Sequence, residues 1–279
     1  MTTHLDSLNA APAEDFAGFV GSLIPGAAFL GERAASARPF ATVSALHAAL
    51  MAALMAASPE EQRALLAAHP EPTAEDAAGL DPLAAAAEAE AFARGLAAYR
   101  ERFGFPFLIC AERQTIDAVL DALAARLAGE PAAERAASLG EFGHIVRLRL
   151  ARAVEGPGLP PSTGRLSTHV LDTHGGRPAA GVALRLYAVG RAGRRLLDSR
   201  TTNADGRTDA PLLAGAPLRA GRYEIEFDIG PYFRGRVDGA VRNLFLETVP
   251  IRFGIDEPEG HYHVAMIATP WSYTVYRGS

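Results

Sequence analysis

The hydrophobic positions along this chain change their period near its middle. In the first half they recur at helical spacing: Ile116, Val119, Leu120, Leu123 and Leu127 fall on one face of a single helix. Segments 43–57, 60–68, 82–103, 115–127 and 134–154 are rich in Ala, Leu, Glu and Arg, which are strong helix formers, and are predicted as helices. Ser58-Pro59-Glu60-Glu61 is a helix start: a Ser N-cap, Pro at the first helical position, and acids facing the positive end of the dipole. Later in the chain the apolar residues alternate instead. Segments 182–189, 223–229 and 261–267 are predicted as strands, with Asn203-Ala204-Asp205-Gly206 as a turn between two such runs. Roughly eight strands in about 115 residues predict an antiparallel sandwich.

Between the two patterns, Glu155 to Gly164 holds three prolines and three glycines in ten residues, which neither a helix nor a central strand tolerates. The predicted organisation is an all-α helical bundle over residues 1–154, a Pro/Gly linker over 155–165, and an antiparallel β sandwich over 166–279. The two halves are not repeats of each other.

Composition narrows the function. Apolar residues make up 49% and charged residues 21% of the 279, enough apolar surface to bury a core in each half. A net charge of -5 argues against nucleic acid as a partner, and the one basic cluster, Arg191 to Arg195, is a short loop-like run. All 27 basic side chains are Arg, a bias of composition that carries no functional information. The single cysteine, Cys110, lies in the apolar run Phe107-Leu108-Ile109-Cys110 and is expected to be a buried structural thiol in a reducing compartment. The first residues lack a signal-peptide pattern and no apolar run reaches the ~18 residues of a membrane span, so a cytoplasmic location and no membrane partner are expected.

Four blocks in the second half resemble one family in order and spacing: Leu166-Ser167-Thr168-His169-Val170-Leu171-Asp172-Thr173, Thr202-Asn203-Ala204-Asp205-Gly206-Arg207, Gly260-His261-Tyr262-His263-Val264, and the terminal Tyr276-Arg277-Gly278-Ser279. They are similar to 5-hydroxyisourate hydrolase, the transthyretin-like enzyme that acts after urate oxidase. The resemblance implies a transthyretin-like sandwich that assembles as a homotetramer and needs no metal or cofactor. It assigns His169 and His263 to water activation, Arg207 to substrate binding and polarisation, and Tyr276 and Ser279 to the rest of the pocket. The chemistry agrees. Opening a cyclic carbonyl compound with water needs a base near neutral pH, which histidine supplies, and a cation for the developing oxyanion, which arginine supplies. A metal reading of His261 and His263 lacks a recognisable third and fourth ligand. A carrier reading, open because the transthyretin hormone carrier shares this fold, is disfavoured because the carrier branch lacks the His, Arg, His and Tyr-Arg-Gly-Ser set. One departure is Ala265, where the family usually has Pro.

The first half has its own resemblance, carried by Gly31-Glu32-Arg33-Ala34, Ala67-Ala68-His69-Pro70, Ala78-Gly79-Leu80-Asp81, Tyr99-Arg100-Glu101-Arg102-Phe103-Gly104-Phe105-Pro106-Phe107, and Ile145-Val146-Arg147-Leu148-Arg149-Leu150. It is similar to 2-oxo-4-hydroxy-4-carboxy-5-ureidoimidazoline (OHCU) decarboxylase, an all-helical, cofactor-free enzyme that converts the hydrolase product to (S)-allantoin. The resemblance implies that His69 is the proton donor and that Pro70 shapes the pocket. It also implies that the strip Phe105, Pro106, Phe107, Leu108 and Ile109 offers backbone groups to the substrate ring. Decarboxylation beside an electron-withdrawing group leaves a stabilised carbanion, so the enzyme must mainly place a proton. Here the departures are larger. The loop after His69-Pro70 is shorter than the family's and lacks its Ser-x-x-Glu-Gln block; Glu75 is the nearest substitute. Two readings stand for this half: a decarboxylase with weakened substrate positioning, or a scaffold that has lost activity. The partners expected are the two small-molecule substrates.

Overall fold

Residues 2–72, 86–237 and 243–278 are described by the computed structural model of the chain. Its helices are α1 (Leu5–Ala10), α2 (Ala13–Leu23), α3 (Ala28–Ala34), α4 (Val43–Met55), α5 (Pro59–Ala68), α6 (Ala86–Phe103), α7 (Ile116–Leu127) and α8 (Pro131–Ala153). Among the described residues one further helix, α9 (Ile229–Phe233), lies in the β half. The helices predicted from composition and, for 115–127, from spacing are α4 to α8; the predicted segment 82–103 begins outside the described residues. Helices α1 to α3 come in addition. Pro12 divides the first two and Ile24-Pro25-Gly26 ends the second; α2 buries Phe16, Ala17 and Val20 on one face, a helical spacing that the sequence itself carries.

Local chemistry sets several helix ends. At α5, Ser58 Oγ accepts the Glu61 N–H at 3.2 Å and the Glu61 carboxylate accepts the Ser58 N–H at 2.8 Å, a reciprocal capping box behind Pro59. Thr42 caps α4 by accepting the Ala45 N–H at 3.0 Å. Two further orphan donors of α4 are met from far along the chain: Val43 N–H donates to Pro157 O and Ser44 N–H to Gly158 O, both at 3.0 Å. The short strands β1 (Thr3–His4) and β2 (Val154–Glu155) also pair, in parallel. The Pro/Gly segment predicted as a linker is thus tied to the helical half as far as Gly158. Phe16, Val20, Leu30, Leu46, Leu50, Phe142 and Val146 form part of that half's buried core.

The chain divides into two units. One is Met1–Ala111 with Val119–Ser162; the other is Thr163–Ser279 together with Glu112–Ala118. In the second, the strands are β3 (Arg165–Asp172), β4 (Arg177–Pro178), β5 (Ala183–Gly190), β6 (Gly193–Thr201), β7 (Gly221–Asp228), β8 (Thr248–Ile255), β9 (His261–Ala268) and β10 (Tyr273–Gly278). They form two four-stranded sheets, ordered β10-β9-β3-β4 and β6-β5-β7-β8. Leu166, Val170, Leu184, Leu186, Ile225, Phe227, Val264 and Met266 belong to the apolar cluster of this sandwich. One pairing departs from the antiparallel expectation: β3 and β9 run parallel. The chain between them is long enough for a crossover, which a hairpin could not provide. The contribution of Glu112–Ala118 has no signal in the sequence. Arg113 Nε and Nη2 donate to the Glu259 carboxylate at 2.8 and 3.0 Å, and Thr115 N–H donates to Ala220 O at 2.9 Å.

Candidate functional site

The register between β3 and β9 assembles the site of the β unit. Leu166, Val170, Tyr262, Val264 and Met266 face the core, so by strand alternation Ser167, His169, His261 and His263 share the opposite face. Ser167 stands opposite His263, and His169 opposite Ala265. His169 Nδ1 and His263 Nε2 are 2.6 Å apart, with the rings stacked at 4.9 Å between centroids. Both side chains are buried, 9% and 7% exposed. His263 Nδ1 lies 2.8 Å from Ser167 Oγ, which in turn lies 3.0 Å from His261 Nε2.

The chain end and the turn complete this face. Gly278 pairs with His263 and Tyr276 with Ala265 across β9 and β10. A Cβ at position 278 would stand 2.7 Å from His263 Cδ2, so only glycine lets the last strand pass the imidazole. Ser279 lies outside the described residues. Ala265, the departure from the family's Pro, is fully buried between His169 and Tyr276 in register; it sits on the site face itself. Arg207 is brought in by its backbone, which bridges His169. The Asn203 side chain accepts the Asp205 N–H at 3.0 Å and the Arg207 N–H at 3.2 Å. Gly206 adopts φ 70°, and its carbonyl accepts the Val170 N–H at 2.8 Å. The Arg207 side chain makes no hydrogen bond or ion pair among the described residues and is exposed, a cation available to a ligand.

Burial is the main cause that holds both histidines neutral. It pushes His169 below the ordinary histidine value, with the Arg207 charge adding to the effect. His263 is pushed down to about 4 by burial, then by His169, Arg207, His261 and Arg165. A cavity of about 200 Å³ reaches His263, Tyr276, Arg277 and Arg252 but is not lined by His169 or Arg207. The arrangement can take a proton from water and stabilise an anion beside it.

The site of the helical unit is assembled from ends and loops. His69 is the C-cap of α5; its N–H donates to Leu66 O at 3.2 Å, and Pro70 stops the helix. Its Nδ1 is 3.1 Å from Pro70 O, so Nδ1 carries the proton and Nε2 the lone pair. Nε2 is buried with no partner among the described residues, and Phe142 meets the ring edge-on at 6.3 Å. Burial holds His69 below the usual histidine value, aided by the Arg149 charge and opposed by the bond to Pro70.

Glu71, which follows Pro70, ties this turn to the aromatic strip. Its carboxylate accepts the Phe107 N–H at 3.3 Å and pairs with Arg100 at 2.7 Å. Phe105, Phe107, Leu108 and Ile109 are buried, while Pro106 is half-buried. The Phe107 N–H is therefore taken by the protein itself, and Arg126 donates to Leu108 O at 2.8 Å. The N–H groups of Leu108 and Ile109 have no partner among the described residues.

Sequence reasoning missed what stands behind the strip. Arg126 packs over the Phe107 ring at 4.6 Å and pairs with buried Glu134 at 2.5 Å; Glu134 also accepts from Tyr99 and, at 3.1 Å, from Ser138. A buried ion pair between two helices leaves no periodic trace. The expected substitute Glu75 and the block Ala78-Gly79-Leu80-Asp81 lie outside the described residues.

Fold and geometry together give a chain with two histidine-centred candidate sites, one in a helical unit and one on a transthyretin-like sandwich. The family comparisons agree. Residues 9–151 match the OHCU decarboxylase family and residues 166–278 the HIUase/transthyretin family, and the chain belongs to both. A 5-hydroxyisourate hydrolase of Mesorhizobium japonicum is 52% identical over 42% of this chain and 93% of its own length. One from Deinococcus radiodurans is 48% identical over 41% of this chain and 95% of its own. The crystal structure of an (S)-allantoin synthase matches 99% of this chain and 100% of its own, with 31% identity and a TM-score of 0.55.

Proposed function

We propose that the chain performs two consecutive steps from 5-hydroxyisourate to (S)-allantoin: hydrolysis on the sandwich, then decarboxylation of the OHCU product in the helical unit. The observation that carries the reading is the buried His169–His263 pair beside Arg207, aligned in one register, in a chain whose other half belongs to the decarboxylase family. In the hydrolase step His169, paired with His263, takes a proton from water. The resulting hydroxide attacks the ring carbonyl, and Arg207 binds the oxygen on which charge develops. Tyr276 forms part of the pocket wall, and the role that the resemblance gives to Ser279 falls outside the described residues.

In the decarboxylase step the strip from Phe105 to Ile109 and Pro70 shape the pocket, and the N–H groups of Leu108 and Ile109 bind the substrate's oxygens. His69 starts as a neutral ring with its lone pair on Nε2. An anionic substrate beside it favours the protonated form, so the site acquires the proton that it then delivers to the carbanion. Glu71 holds this turn against the strip, which supports an active decarboxylase over a scaffold.

A homotetramer formed through the sandwich is supported by the edge position of β10, which exposes the aromatic residues Tyr273 and Tyr276. Light scattering tests it. No single helix among the described residues is long and apolar enough to cross a membrane, and a buried lone cysteine fits the cytoplasm. The two steps are tested by adding the chain to freshly generated 5-hydroxyisourate. Its absorbance must decay faster than unaided, and circular dichroism must show optically active allantoin.

A further inference from the structure

His169 Nδ1, His263, Ser167 Oγ and His261 form a line of four side chains joined by three hydrogen bonds of 2.6, 2.8 and 3.0 Å. The inner three are buried, and His261 is exposed at the start of β9. The hydrolase reading uses only the first two. Each link holds one proton, so with all three rings neutral and the Ser167 O–H directed along the line there are two arrangements. In one, His169 Nδ1–H donates to His263, His263 Nδ1–H donates to Ser167, and the Ser167 O–H donates to His261. His169 Nε2 is then a bare lone pair, ready to act as a base. In the other every donor is reversed, and His169 Nε2 carries a proton, ready to act as an acid.

We propose that this line is a proton relay in which Ser167 and His261 connect the buried histidine pair to solvent, switching His169 between base and acid. The proposal rests on the role given to His169 above. When water gives its proton to His169 Nε2, the oxygen keeps the O–H electron pair and bonds to the substrate carbonyl. The Nδ1 proton of His169 passes to His263 Nε2, that of His263 Nδ1 to Ser167 Oγ, and that of Ser167 to His261 Nε2. His261 then releases its Nδ1 proton to solvent. Protonation of the leaving nitrogen by His169 Nε2 runs the same transfers backwards, with His261 taking a proton up, so the cycle balances. A relay suits this site because charge has no good resting place inside it. Burial disfavours a cationic His169 or His263, and the charges of Arg207 and Arg165 both bear on His263. His261 is where the charge meets water.

The test is steady-state kinetics on the full-length chain with 5-hydroxyisourate, using Ser167→Ala, His261→Ala and the double variant. His261 is exposed, so its replacement leaves the fold intact, and Ser167→Thr keeps the hydroxyl. The relay predicts a loss of about tenfold in kcat for either single variant, with KM unchanged, and no further loss in the double variant. Ser167→Thr retains kcat, and added imidazole restores kcat to His261→Ala in proportion to its concentration. Losses that multiply in the double variant, a change in KM instead of kcat, unchanged single variants, or no effect of imidazole would each overturn the relay. His169→Ala separates the two levels: wild-type decay there sinks the site itself, whereas loss there with intact Ser167 and His261 variants sinks only the relay.

Discussion

The two sites of this chain use histidine in opposite ways. On the sandwich, His169 and His263 sit on adjacent strands, where the pairing register places them within hydrogen-bond reach, and burial holds each of them neutral. In the helical unit, His69 stands at a helix end. Its position depends on a C-cap, a proline and the Glu71 carboxylate reaching the strip, and the task proposed for it is to deliver a proton. Strand register is a strong constraint set by the whole sheet, so a strand-built site is spelled out in short motifs. A site built from caps and loops depends on single long-range hydrogen bonds, and its motifs drift more readily.

Breaking the sandwich site should have the largest effect. His169→Ala, His263→Ala and Arg207→Ala are each expected to slow 5-hydroxyisourate decay by about 100-fold or more, measured by stopped-flow absorbance, while the decarboxylation of supplied OHCU continues. A wild-type rate in the His263 variant removes it from the mechanism.

The tie in the helical unit is worth less. Glu71→Ala frees the Phe107 N–H and Arg100 and loosens the turn that carries His69, and is expected to slow (S)-allantoin formation by roughly tenfold. Hydrolysis should be untouched. Equal losses in both steps would show that the substitution damages the fold and not the site.

The pH dependence sharpens the contrast of base against acid. Folded-state values of His169 and His263 lie below the ordinary 6.5, that of His263 at about 4, so both stay neutral as pH falls through 6.5. Hydrolysis should therefore persist below pH 6.5 and be lost only as the pair protonates at more acid pH. Arg207→Gln removes a charge that depresses both values, so it should move that limb upward in pH. Decarboxylation needs the protonated His69, whose value burial also lowers, and should be lost on the alkaline side. Parallel profiles for the two steps would contradict the division of roles.

The smallest effect on activity concerns the unit boundary. A fragment of residues 162–279 should fold and hydrolyse 5-hydroxyisourate, but it lacks Arg113 and Thr115. Losing that ion pair, whose side chains are each only 11% exposed, and two backbone bonds to Ala220 costs roughly 2–3 kcal/mol, or about 10 °C in melting temperature by calorimetry. A fragment that does not fold would make Glu112–Ala118 an essential part of the sandwich.

Local signals made much of this architecture legible. Ser58-Pro59-Glu60-Glu61 marked the start of α5, the alternation at 261–267 marked β9, and four short blocks named the residues that β3, β9 and the Asn203–Arg207 turn bring together. Signals that depend on distance in sequence stayed hidden. Nothing in the sequence says that β3 and β9 run parallel, that Ser167 links His263 to His261, or that Glu71 reaches Phe107. The Arg126–Glu134 pair reads as two surface charges until the fold buries it. Ala265 shows the same limit from the other side, since a substitution that touches no chemical group in the sequence lies in register between His169 and Tyr276.

The proposed function requires two separable sites that act in order within one chain. Its most direct test is circular dichroism of the allantoin formed from urate and urate oxidase, comparing the wild-type chain with His69→Ala. Rapid 5-hydroxyisourate decay is expected in both, with an (S)-allantoin signal that builds in the wild type and is absent or no faster than spontaneous, racemic decay in the variant. An equal signal from the two chains, or none from either, would contradict it.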